Sequence, residues 1–90
     1  MLDPQDIAQR IRAALPGAEV EVRDLTGTGE HFEARVVAAA FDGLAMVEQH
    51  QAVYGPLRDV LDSGALHALA LKTYTPDQWK RLQGRSRNAS

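Results

Sequence analysis

The 90-residue sequence predicts an α+β domain of element order αββααβ, a two-layer sandwich with one further helix at its C-terminal end. Three observations carry that prediction. Ile7, Ile11 and Leu15 recur at the spacing of one helical face. Two consecutive stretches, 18–23 and 31–38, alternate apolar and polar residues, the pattern of strands with one wet face. A third apolar stretch at 66–73 follows a 39–65 segment long enough to cross over and pair parallel.

Each element has a local reason. Asp3 is a good N-cap, Pro4 suits the first helical position and Asp6 adds a carboxylate to the first turn. Pro16-Gly17 stops that helix. Ala18, Val20 and Val22 alternate with Glu19, Glu21 and Arg23 to make the first strand. The 26–29 stretch Thr-Gly-Thr-Gly turns the chain, and Phe32, Ala34, Val36 and Ala38 alternate with His31, Glu33 and Arg35 in the second strand. Phe41-Asp42-Gly43 breaks the alternation. From Leu44 a helical stripe runs through Met46, Val47, Val53, Tyr54, Leu57, Val60 and Leu61. Pro56 interrupts it, which predicts a kink or two short helices over 44–54 and 56–62. Ser63-Gly64 ends the second. Thr75-Pro76-Asp77-Gln78 reads as a capping box opening the last helix, with Trp79 and Leu82 on its apolar side. Both hairpin strands have a single apolar face, so the helices are expected on one side of the sheet, with Trp79 in the core.

Size and composition set limits. One domain over 1–84 is expected, with a disordered tail over 85–90 after Gly84. The absence of cysteine excludes a disulfide scaffold, a thiol nucleophile, a zinc finger and an iron–sulfur centre held by this chain's own thiolates. No apolar run approaches the length of a membrane span, and Met1-Leu2-Asp3-Pro4 does not resemble the start of a secretory signal. A cytoplasmic protein without membrane contact is expected. The net charge of −2 is unevenly spread. Residues 1–71 carry five basic and eleven acidic side chains, a net of −6; residues 72–90 carry five basic side chains and Asp77, a net of +4.

With cysteine absent, the histidines are the leading metal-ligand candidates. His67 opens the third strand among apolar neighbours, where an imidazole at a strand mouth serves as a ligand or a proton carrier, or simply bonds a nearby carbonyl. His31 opens the second strand beside the glycine loop. His50 sits at helical spacing from Met46, Val53, Tyr54 and Leu57, so it borders the core. Lys72, Lys80 and Arg81, with Tyr74 and Trp79 nearby, are the residues a nucleic-acid surface would use. The carboxylates form no acid–base pair. The glycine loop leads into a strand, not a helix, and so lacks the amides that cradle phosphate.

Several of these motifs together resemble the BolA family: Phe41-Asp42-Gly43, then Glu48-Gln49-His50-Gln51-Ala52-Val53-Tyr54, and the block from Leu66-His67-Ala68-Leu69 to Thr75-Pro76-Asp77-Gln78-Trp79. His31-Phe32-Glu33 is similar to the His-Phe pair that opens the family's second strand. The match covers about residues 5–80. The short first loop and Val53-Tyr54-Gly55-Pro56-Leu57 resemble the bacterial IbaG/YrbA-like branch. The resemblance implies a fold like the type II KH domain. It also implies a role in iron–sulfur cluster assembly, with a [2Fe–2S] cluster shared between this chain and a monothiol glutaredoxin. The glutaredoxin cysteine, glutathione and a histidine corresponding to His67 would hold it, with His31 as a second ligand; alone, the chain would be a monomer or weak homodimer. The alternative the family implies is a DNA-binding transcriptional regulator of the stress response, reading through 41–62 and the third strand. Two features depart from the family. Its Arg-His-Arg is here Gln49-His50-Gln51, and its first loop offers threonines, Thr26 and Thr28, where some members place a further ligand.

Overall fold

A computed structural model describes residues 3–27, 31–64, 66 and 68–88. The elements are α1 (Pro4–Ala14), β1 (Glu19–Asp24), β2 (His31–Val37), a 3₁₀ turn (Ala39–Phe41), α2 (Met46–Asp62), β3 (Ala68–Tyr74) and α3 (Pro76–Asn88). The sheet order is β1-β2-β3. β1 and β2 pair antiparallel as a hairpin, with Glu21 opposite Arg35. β2 and β3 pair parallel, with His31 opposite Ala68 and Val37 opposite Tyr74. The α+β sandwich is therefore as the sequence predicts, with α2 as the crossover that parallel pairing requires.

The helix caps follow their residues. The Asp3 carboxylate accepts the Gln5 N–H at 2.9 Å. At α3, Thr75 Oγ1 accepts the Gln78 N–H at 3.2 Å, while Gln78 Oε1 accepts the Thr75 N–H at 3.0 Å, both halves of the predicted box. Gly17 and Gly64, which close α1 and α2, have φ of +84° and +81°, a conformation that costs glycine nothing.

One core lies between the sheet and the α1–α2 layer. Ile7 and Ile11 of α1, Phe32 and Val36 of β2, and Val53, Leu57 and Val60 of α2 meet there with Leu66. Phe41 is fully buried among them, although the sequence placed it only in a pattern break. The 3₁₀ turn is what aims it inward.

Four expectations change. Of the kink or two short helices expected at Pro56, the two separate helices do not form: α2 is one helix through Pro56. An interior proline costs about 3 kcal/mol, but burying Val53, Leu57 and Val60 contributes roughly 1.5–3 kcal/mol each, so packing holds the helix together. The apolar stripe is not all inside: Leu44, Met46 and Val47 are 36%, 61% and 66% exposed. Trp79 is not a core residue. It is half-buried against the sheet's other face, 5.4 Å between ring centroids from Tyr74, with the Arg35 guanidinium 4.2 Å from its ring centroid. The helices are thus not confined to one side. Finally, α3 passes Gly84 and includes residues 85–88, expected in a disordered tail. A helical glycine costs only about 1 kcal/mol, too little to end a helix already capped at its start. Residues 89 and 90 lie outside the described part.

Candidate functional site

His31 is the first residue of β2, and its imidazole is exposed. The hairpin fixes its backbone: its carbonyl accepts the Leu25 N–H at 2.8 Å. The alternation of β2 then decides the direction. Phe32 is buried, so His31 must project to the opposite, wet face. Its ring has no hydrogen-bond partner among the described residues. His67 lies outside the described residues. Its neighbours in sequence are described: Leu66 is buried, and Ala68 is the register partner of His31. Among the described residues no group of three or more His, Cys, Asp or Glu side chains gathers into a metal site.

The wet face of the sheet is an ordered polar surface. Glu21 pairs with Arg35 at 3.1 Å and Glu33 with Arg23 at 3.3 Å, each cross-strand. Together with Lys72, Tyr74 and Trp79 they line an open hollow of about 270 Å³. Arg35 Nε is buried there without a partner among the described residues. Of the three nucleic-acid candidates, Lys72 points out from β3 at this face, and Arg81 lies beyond Tyr74 beside Leu82. Lys80 is exposed on α3 and does not line this hollow.

His50 borders the core as its spacing predicts. It is half-buried, and its ring meets Tyr54 edge-on with centroids 6.3 Å apart. Its neighbour Gln49 is a surprise: it is buried. Gln49 Oε1 accepts the Thr73 hydroxyl at 2.8 Å, and Gln49 Nε2 donates to the Leu44 carbonyl at 3.1 Å. The Thr73 oxygen also lies 3.7 Å from Met46 Sδ. A hydroxyl has one proton, and the short contact to an amide oxygen takes it. Gln49 therefore ties α2 to β3 and is turned away from any surface ligand. The only sequence signal for this was that Gln49 lies four residues before Val53 and eight before Leu57, on the buried stripe.

No helix among the described residues is long and apolar enough to cross a membrane. The family model described as BolA-like protein matches residues 11–78. The acid stress protein IbaG of Escherichia coli strain K12 is 36% identical over 80 residues, covering 89% of this chain and 92% of that protein. Among solved structures, a BolA homologue from Coxiella burnetii is 37% identical with a TM-score of 0.75, covering 89% of this chain and 99% of that one. The BolA domain of SufE1 from Arabidopsis thaliana is 33% identical with a TM-score of 0.74, covering 86% and 98% respectively.

Proposed function

The chain belongs to the BolA-like family, and on that premise we propose that it is a non-enzymatic carrier sharing a [2Fe–2S] cluster with a monothiol glutaredoxin. The cluster is cargo held jointly. The glutaredoxin cysteine and glutathione would supply the thiolates that this cysteine-free chain lacks, and His67 would supply an imidazole nitrogen. The observation that carries the reading is the strand register: His31, exposed and unpartnered at the start of β2, lies opposite Ala68, the residue that follows His67. On this reading His67, which precedes Ala68 in the sequence, would be the first imidazole ligand and His31 the second. A stress role, the word in the name of the Escherichia coli relative, goes with the same family premise.

The test is anaerobic co-expression with a monothiol glutaredoxin, followed by visible absorption and native mass. His67→Ala should alter or abolish the spectrum of the mixed complex, and His31→Ala should speed cluster loss. An unchanged spectrum and mass in His67→Ala overturns the assignment.

The alternative, DNA binding, finds little support in charge. Across 41–62 only Arg58 is basic, against Asp42, Glu48, Asp59 and Asp62, a net of −3. Phosphate contacts need Lys or Arg.

A further inference from the structure

We infer that the free edge of β3 is a docking groove for an extended acidic peptide, which would add to the sheet as a fourth strand. Among the described residues β2 alone pairs with β3, which is therefore an edge strand. The direction of its backbone groups follows from one bond. The Tyr74 carbonyl accepts the Ala38 N–H at 3.1 Å, on the β2 side. Backbone groups alternate sides along a strand, so those of Leu69, Leu71 and Thr73 face away from β2. None of the three has a backbone partner on that side among the described residues.

That edge borders a groove. Two adjoining hollows of about 350 and 300 Å³ share Met46, Thr73 and Tyr74; His50 and Leu71 extend one, and Gln78 and Leu82 the other. Met46 is mostly exposed, an apolar wall beside unpaired strand. Among the described residues the lining includes Arg81 and Lys72, the latter also bordering the wet-face hollow with Glu21 and Glu33, and no carboxylate, on a chain whose overall charge is negative. Neither cation is ion-paired among the described residues.

Charge selects the occupant. A second copy joined β3 to β3 would bring Lys72 and Arg81 toward their own counterparts, and like charges across a strand pair oppose association. A segment alternating acidic and apolar residues satisfies all three features at once. Its backbone pairs with the edge, its apolar side chains meet Met46 and Leu71, and its carboxylates meet the two cations.

The probe is a fluorescent peptide of alternating Glu and Val, read by anisotropy and by amide exchange of the protein. Saturable binding is expected, with slowed exchange at Leu69, Leu71 and Thr73 and none of that protection gained at Ala70 or Lys72. Lys72→Glu combined with Arg81→Glu, both exposed positions, should weaken binding roughly tenfold, as two surface ion pairs would. Of two peptides N-methylated on alternate residues, one should lose binding and the other keep it. Equal binding by both, equal binding by a Lys-Val peptide, or unchanged exchange at the three amides overturns the proposal. So does a peptide-independent dimer that protects the same amides, which would make a second copy the occupant.

Discussion

Replacing Thr73 by Val tests the tie between α2 and β3. The two side chains are nearly isosteric, so the change removes the hydroxyl and little else. Thr73 and Gln49 are 5% and 6% exposed, and their hydrogen bond is 2.8 Å long. Without the hydroxyl, Gln49 Oε1 stays buried with no donor. A satisfied hydrogen bond contributes about 1 kcal/mol net, but a buried acceptor left unpaired costs about 1–3 kcal/mol. In a domain of this size each kcal/mol lowers Tm by about 4–8 °C. Urea unfolding followed by far-ultraviolet circular dichroism should show the midpoint fall with an unchanged slope. The cycle with Gln49→Leu separates the pair from its parts. The double variant replaces both partners with apolar groups, and Leu44, whose carbonyl Gln49 Nε2 releases, is a residue 36% exposed to water. That variant should therefore be more stable than the sum of the single losses predicts, by about 1 kcal/mol or more. Additive losses, or a Thr73→Val variant as stable as the parent, refute the claim that this bond is buried and unreplaced.

Three further outcomes follow from named contacts. Arg35→Met should cost about 0.5–1 kcal/mol and change the emission of Trp79, the chain's single tryptophan, because it removes the cation from the ring; unchanged emission would place Arg35 elsewhere. The Arg10 guanidinium, bonded to both Asp59 carboxylate oxygens at 2.9 and 3.0 Å, holds the Asp59 pKa below the ordinary aspartate value. A lowered folded-state pKa stabilises above the unfolded pKa, and that contribution disappears as pH falls through the folded value. Carbon-detected titration of Asp59 should thus shift upward in Arg10→Ala, less so in high salt, and no shift would sever the pair. Duplex DNA should bind weakly, with affinity falling steeply in salt through Lys72, Lys80 and Arg81; tight binding that survives loss of all three would move any nucleic-acid surface off the basic end.

Much of the fold was legible because local chemistry and burial agree. The Asp3 cap, the Thr75–Gln78 box and the Ile7–Ile11 stripe each specify their element without help from distant residues. The errors fall where tertiary packing overrides a local rule. Pro56 sits inside a helix because the residues around it are buried. Trp79 looks like a core residue by size, yet its place is decided by Tyr74 and Arg35 on the far side of the sheet, a cross-strand arrangement no local pattern contains. Gln49 is polar by type and buried by position, and only Thr73, 24 residues later, makes that tolerable. At the candidate site, the exposure of His31 followed from alternation, while its pairing with Ala68 needed the register.

The direction of β3 decides which residues share one end of the sheet. Had the crossover been a short turn, β3 would have run antiparallel to β2, and the start of β2 would face the end of β3. His31 would then lie beside Tyr74, and the residue next to His67 would belong to the opposite end of the sheet. Parallel pairing, which α2 makes possible, sets the first residues of both strands side by side. It also separates two surfaces along one strand. Ala68 marks the histidine end, while Leu71 to Thr73 border the groove, three to five residues further on. At about 3.3 Å per residue that is roughly 10–17 Å, far enough that the proposed cluster at one end and the proposed peptide at the edge would not exclude each other. A partner that brings thiolates to the histidine end and an acidic strand to the edge would engage both surfaces at once. The two contacts would then reinforce each other through effective concentration, without either needing to be strong alone.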